Sequence, residues 1–525
     1  MKEVKRVFKV NGKPFFPIGA EFLYKSGYSV RDQSETETIF KAVKSAHGNT
    51  ILIPIYWDQF EREEGNFDFT TLDFLLALAR SYELKLMLLW FATWKNANMD
   101  FTPAWIKTDP QRFKRVISPT GQALWVLSSH CKANLAADKK AFTALCKYLK
   151  AKDAADHTVI GIQVENEAGI IGSDRDYGPE AQATLDSPVP AKLLSAMKTA
   201  GKGEVYDIWQ QAGGKTSGNW TELFSYSAGE LMSAWSIASY IDSVAEAGKK
   251  FHEVPMFINV WLMEQPWWRV PGESYASGGG VTKVLDIYKW FTPHIDMIAP
   301  DIYLSDFKGR AAVCASYSRD DNPLFIPESH GALEMINPIA DYNCTGYFTW
   351  IREGTDVIQP RHIKRIDLIQ CVASVIPLLL KYQGTGKVHA VVQEEGMEVQ
   401  NLDLDGYMGL IEFGRWKQSA VPGEQPGLSR GGGLVIQESR NVFYLVGTNY
   451  RLRLRARQTT DKMQATLIYT HHRRPEFLKY VVSVDEGHFD QNDKFVSDRR
   501  RNGDEITNGF GVEADCGVVR VITCD

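Results

Sequence analysis

The sequence predicts an α/β protein, a (β/α)8 TIM barrel over residues 1–385 followed by an all-β sandwich domain over residues 386–525. Three observations predict it. Short apolar, β-rich runs recur through the first part, each followed by a stretch of helical periodicity, the pattern of βα units around a parallel sheet. Eight such units in succession suit a closed barrel, and no GxGxxG follows the first run as an open dinucleotide-binding sheet would require. After Tyr382 the texture changes to short alternating runs (GGLVIQ, VFYLVG, YRLRLRA, ATLIY, KYVVSV, GVVRVIT) separated by Gly, Asn and Asp turns, which reads as antiparallel sheet.

The expected barrel strands are Phe15 to Ala20, Thr50 to Trp57, Lys85 to Ala92, Val159 to Glu165, Met256 to Trp261, Met297 to Tyr303, Leu324 to Pro327 and Thr345 to Trp350. Between and after them, apolar residues at helical spacing predict helices over Glu35 to Ala46, Leu72 to Tyr82, Lys139 to Leu149, Leu231 to Lys249, Thr282 to Phe291 and Lys364 to Tyr382. The Gly431-Gly432-Gly433 stretch and the turn from Gly423 to Gly427 read as loops inside the sandwich.

Composition excludes several functions. Lys and Arg number 59 against 64 Asp and Glu, a formal charge of -5, too balanced for an electrostatic grip on nucleic acid or an anionic membrane. The longest apolar runs, such as Leu86 to Ala92, fall far short of the roughly 20 residues of a membrane span. The polar start MKEVKRVFKVNGK lacks the features of a secretory leader, so the expected location is cytoplasmic. Seven cysteines lie scattered with no CxxC pair and no metal-ligand spacing, and there is no nucleotide-binding loop. No cofactor or metal is expected. The 14 tryptophans point to a sugar-stacking cleft, many standing where strands end.

In such a barrel the reactive groups sit at the C-terminal ends of the strands. The fourth strand ends VENE, and alternation along a strand puts Glu165 and Glu167 on one face with Asn166 on the other until the strand ends. The seventh run, LFIPESHG, places Glu328 just past Pro327. A carboxylate at each of two strand ends facing one cleft is the minimum for glycoside hydrolysis: one protonates the leaving oxygen and the other attacks the anomeric carbon or activates water. A lone strand-end Glu is more simply a salt-bridged residue, and it is the pair that points to chemistry.

Further candidates to bind substrate are Tyr303, placed to orient Glu328; Trp350, placed to form the floor under the sugar; and Trp57, Trp94, Asn96 and Asn259 at other strand ends. The long loop MEQPWWRVPGESYASGGG carries Trp267, Trp268 and Tyr275 and reads as an acceptor-side platform. Asp174, Arg175 and Asp176 read as loop-bracing charge, and the basic run His471 to Arg474 as a solvated turn.

The placement of Asn-Glu after the fourth strand and Glu after the seventh resembles the large clan of retaining (β/α)8 glycosidases. That resemblance implies Glu167 as acid/base, Asn166 on the sugar 2-hydroxyl and Glu328 as nucleophile. The run PIYWDQFEREEGNFDF (Pro54 to Phe69), with QVENEAG, FIPESHG and the β-rich tail, resembles glycoside hydrolase family 35, the β-galactosidase family. LLWFATWKN, FINVWL and IAPDIY liken it to a bacterial branch, and the similarity runs from about Phe8 to Tyr382. One departure is that many relatives hold the galactose hydroxyls with a carboxylate after the third strand, where this chain has Thr93, then Trp94, Lys95 and Asn96.

The expected activity is a retaining exo-acting β-glycosidase, a β-galactosidase releasing terminal galactose from small oligosaccharides. Two alternatives stay open: a β-glucosidase or glucosyl-transferring transglycosylase on gluco-oligosaccharides, and a non-catalytic carbohydrate-binding protein. No nucleic acid or membrane partner is expected, and self-association is left open.

Overall fold

The computed structural model describes residues 7–23, 33–264, 269–304, 306–329, 333–352, 368–394, 396–414, 430–456 and 481–524. Its centre is a parallel sheet in which Met297–Pro300, Met256–Val260, Val159–Asn166, Lys85–Lys95, Thr50–Tyr56, Ile18–Leu23 and Tyr347–Arg352 follow one another in that order, every pairing parallel. The seventh run closes the ring. Ile326 bridges Tyr347 on one side and Ser329 bridges Ile302 on the other, with the Ile302 N–H donating to the Glu328 carbonyl at 2.9 Å. This run forms single bridges instead of the expected continuous strand because Pro323 and Pro327 supply no N–H to a ladder. The architecture is a (β/α)8 barrel followed by antiparallel sheets.

Strands buried on both faces need unbroken apolar sequence, and Thr50–Tyr56 (TILIPIY) and Val159–Asn166 (VIGIQVEN) are buried at every position. Helices cover the outside, among them Gln33–Ser45, Thr70–Ser81, Lys132–Asp153, Ala228–Lys249, Leu285–Phe291 and Phe307–Tyr317. Four short helices, Pro179–Asp186, Ala191–Ala200, Glu204–Gln211 and Trp220–Phe224, intervene between the fourth strand and the long helix Ala228–Lys249. The last expected helix is described only in part, with Ile376–Tyr382 its final segment. Among the described residues no helix is long and apolar enough to cross a membrane.

Inside the barrel, Phe325 packs against Phe257 at 5.0 Å, Phe348 at 5.6 Å and Phe8 at 5.8 Å between ring centroids. These rings form a floor. Because side chains alternate, Asn259 and Trp350, two residues beyond Phe257 and Phe348 on the same strands, face the same interior one layer higher. The site is built on that layer.

In the tail, a six-stranded antiparallel sheet faces a four-stranded one. Alternation in the larger sheet serves two cores. Val391, Val435 and Leu445 join the sandwich interior, while Ala390, Val392, Leu434, Ile436 and Val446 pack into the core of the barrel. The sheet is therefore apolar on both faces and fixed against the barrel. The basic run His471 to Arg474 lies outside the described residues.

Candidate active site

The end of the fourth strand departs from regular geometry. Glu165 and Glu167 adopt left-handed backbone angles, φ 66° and 43°, which non-glycine residues seldom take. The turn sends Glu165 outward, where its Oε2 accepts from the Trp94 N–H at 2.8 Å beside Asp138. The expectation that Glu165 and Glu167 share a face is thereby corrected: the left-handed residues break the alternation, and Asn166 and Glu167 are the pair turned into the barrel mouth. The third strand, expected to end at Ala92, runs on past a bulge to Lys95. Asn96 and Ala97, also left-handed at φ 52° and 56°, donate their N–H groups to the carbonyls of Asn166 at 3.2 Å and Glu167 at 3.1 Å. Each such conformation costs about 1–3 kcal/mol and persists only where surrounding bonds hold it. Here those bonds aim the Glu167 side chain.

A polar cluster follows. Asn259, from the fifth strand, accepts from the Glu167 N–H at 2.8 Å and donates to Asp301 Oδ2 at 2.8 Å and Glu328 Oε1 at 3.0 Å. The Tyr303 hydroxyl donates to Glu328 Oε2 at 2.8 Å. Asn96 Nδ2 donates to Glu167 Oε2 at 2.6 Å, Lys95 Nζ to Asn166 Oδ1 at 2.8 Å, and Asn166 Nδ2 reaches Glu328 Oε1 at 3.5 Å. Glu167 and Glu328 are both buried, and both oxygens of Glu328 are engaged by donors.

Two further carboxyls share the cluster. Glu21, at the end of the first strand, is fully buried beside Glu328, Glu167 and Lys95. Asp301, just past the sixth strand, is buried between Glu328, Glu167 and Glu21. Burial first, and then the charge of Glu328, push the Glu167 carboxyl up to about 7, opposed by Lys95 and by hydrogen bonding with Asp301 and Asn96. Burial followed by the Glu328 charge likewise raises Glu21 and Asp301 well above the carboxylate range. Tyr303 is held protonated by burial and then by Glu328, which suits its role as donor. The arrangement keeps a proton on Glu167 near neutral pH beside a carboxyl held by donors, the equipment of an acid and a nucleophile.

The structure therefore brings Glu167, Glu328, Asn166, Asn259, Tyr303 and Asn96 into one hydrogen-bonded group, with Trp350 half-buried beside Glu21 as its paired residue. Trp57 and Trp94 are corrections. Trp57 is fully buried, donating to Glu61 at 2.8 Å and packed on Trp90 and Trp105; Trp94 packs edge-on against Tyr240 of the long helix. Both fill the layer outside the barrel, because the strand bulges at the third end and gives way to helix Trp57–Phe60 at the second. Thr93 faces outward too, donating to Asp138 Oδ2 at 2.7 Å, so it cannot read a sugar hydroxyl, and Lys95 and Asn96 take the inward places. Trp267 and Trp268 lie outside the described residues. Tyr275 is buried, its hydroxyl donating to Glu230 at 2.6 Å, so it packs instead of forming a platform. Asp176 braces its loop by accepting from Ile117 N–H, Ser128 Oγ and Gly178 N–H at 2.6–2.9 Å.

Sequence reasoning missed Glu21 and Asp301. The first strand was expected to end at Ala20, one residue short of Glu21, and the sixth to run on to Tyr303, which treats Asp301 as mid-strand. Reading the first strand one residue longer and the sixth three residues shorter would have flagged both.

Residues 29–209 match the family model of glycoside hydrolase family 42, described as beta-galactosidase, and residues 370–513 match a domain of unknown function, DUF5597. No curated protein matches the chain. Among solved structures, the cold-adapted β-galactosidase from Rahnella sp. R3 is 14% identical with a TM-score of 0.48, covering 74% of this chain and 59% of that one. The family 42 β-galactosidase Gan42B from G. stearothermophilus is also 14% identical, TM-score 0.46, covering 71% and 58%. The catalytic domain of β-amylase from Paenibacillus polymyxa is 13% identical, TM-score 0.46, covering 66% and 94%. The chain spans about three fifths of the length of the β-galactosidase structures it matches.

The barrel holds a buried carboxyl cluster at its mouth, and residues 29–209 resemble a glycoside hydrolase family. The match over residues 29–209 corrects the resemblance to family 35: the family it indicates is 42.

Proposed function

We propose that the protein is a retaining, exo-acting β-galactosidase that releases terminal galactose from small oligosaccharides by double displacement. The observation that carries this reading is the contrast between Glu167, held protonated near neutral pH in a buried pocket, and Glu328, whose two oxygens are oriented by Asn259 and Tyr303.

In the first step Glu328 attacks the anomeric carbon while Glu167 gives its proton to the departing oxygen, leaving a galactosyl ester on Glu328. Esterification removes the Glu328 charge, the second cause of the raised Glu167 proton affinity. Glu167 then ionises more readily and takes a proton from the incoming water, which releases β-galactose and restores both groups. Asn166, joined to Lys95, sits where it can meet the sugar 2-hydroxyl, and Trp350 stands at the interior-facing end of the eighth strand, where an indole would underlie the ring.

The test is proton NMR of the first product formed from an aryl β-galactoside and, separately, an aryl β-glucoside. β-Galactose as the first-formed anomer supports the reading. α-Galactose refutes retention, and turnover of the glucoside alone refutes the choice of sugar.

A further inference from the structure

Glu21 is fully buried at the C-terminal end of the first strand, where its backbone pairs with Leu52 on one side and Trp350 on the other. Among the described residues neither oxygen of its carboxyl meets a donor with hydrogen-bonding geometry. Its polar surroundings are the Glu328 and Glu167 carboxyls and the Lys95 ammonium. A carboxyl against a carboxyl is two acceptors, bonded only when one of them carries a proton. Asp301, also beside Glu328, repeats the pattern in part: Oδ2 is bonded to Asn259, and among the described residues Oδ1 has no hydrogen-bond partner.

A buried polar group without a partner is costly, and a glutamine or an apolar side chain at position 21 would pack without adding to the negative charge around Glu328. A carboxyl kept there lacks hydrogen-bond donors, and a sugar ring is a set of donors carried into the pocket. Lys95, the cation of this group, lies over the Phe91 ring at 4.8 Å and already donates to Asn166. A hydroxyl lying between Lys95 and Glu21 would accept from one and donate to the other.

We infer that Glu21 is a substrate-contacting residue, its carboxyl accepting a hydrogen bond from one ring hydroxyl of the sugar held between Glu167 and Glu328. The inference rests on the glycosidase reading and adds the first-strand carboxyl that reads the sugar.

The experiment compares the full-length wild type with Glu21→Gln and Glu21→Ala on an aryl β-galactoside and its 3-deoxy, 4-deoxy and 6-deoxy counterparts, resolving kcat and KM. The amide keeps the shape and replaces an acceptor oxygen with a donor. On the parent sugar Glu21→Gln is expected to lower kcat/KM by about tenfold, the scale of one lost hydrogen bond. On the one deoxy sugar that lacks the partner hydroxyl, the loss shrinks to within about threefold, as a double-mutant cycle requires of a direct contact. An equal loss on every sugar assigns Glu21 to positioning Glu328 and overturns the inference, as does undiminished activity. Failure of Glu21→Gln to fold, judged by its melting curve, assigns a structural role and also overturns it. A wild type that turns over none of the glycosides removes the glycosidase reading itself, an outcome distinct from an active wild type with uniform losses.

Discussion

Replacing Asn96 by alanine isolates one of the forces that set the proton affinity of Glu167. Asn96 Nδ2 donates to Glu167 Oε2 at 2.6 Å and so favours the ionised form, against burial and the Glu328 charge, which together lift the group to about 7. A hydrogen bond to a charged group contributes about 1.5–3 kcal/mol, and water entering the vacated space returns part of it. A net loss of about 1 kcal/mol, at 1.36 kcal/mol per unit, raises the Glu167 proton affinity by about 0.7 of a pH unit. Asn96 is itself left-handed at φ 52°, where alanine is less at ease than asparagine, so the fold of the variant is checked by its melting curve. The assay is the pH dependence of kcat/KM on an aryl β-galactoside, which reports the groups of the free enzyme. Activity needs Glu167 protonated, so it falls as pH rises through about 7 in the wild type, and in the variant that limb moves upward. A limb that stays in place or moves downward would refute the assignment of Glu167 as the titrating acid.

Three further outcomes follow from the same geometry. Glu167→Gln is expected to stabilise the folded protein above neutral pH. Because the folded-state affinity is raised from 4.5 to about 7, the proton-linked stability is complete below 4.5 and lost as pH rises through 7, about 3 kcal/mol by pH 8. The difference in Tm between variant and wild type should widen from pH 5 to pH 8, and a constant difference would count against it. Asn259→Asp removes the donors to Asp301 and Glu328 and adds a carboxyl, so kcat/KM should fall by about 10² to 10⁴, and activity within threefold of wild type would exclude Asn259 as the link between the two carboxyls. Thr93→Val removes a donor to buried Asp138 and should cost about 1–2 kcal/mol in denaturant unfolding while leaving the ratio of galactoside to glucoside turnover unchanged. A changed ratio would return Thr93 to the sugar.

The barrel was legible because strands buried on both faces must be apolar throughout, and runs such as TILIPIY cannot be mistaken for half-exposed strands. Glu167 and Glu328 were legible because each follows such a run. What periodicity could not reach was the direction of side chains once a strand loses its regular backbone. Thr93, Trp94 and Glu165 all lie within a few residues of the left-handed positions and the third-strand bulge, and each points opposite to its expected face. Glu21 was missed for a smaller reason, a strand end placed one residue early, and Asp301 because a carboxylate inside an apolar run reads as an interruption until its neighbours are known. In the tail, alternation identified sheet but not which face met which core, since the larger sheet is apolar on both.

The central claim, that Glu328 carries the sugar through a covalent intermediate, is tested most directly by trapping. Incubation with a 2-deoxy-2-fluoro β-galactosyl fluoride, which slows release of the glycosyl-enzyme, followed by peptide mass mapping, should place one added 2-deoxy-2-fluorogalactosyl unit, with loss of the anomeric fluoride, on the peptide containing Glu328 and none in Glu328→Gln. A label on another carboxyl, or inactivation without any covalent mass, would contradict the mechanism.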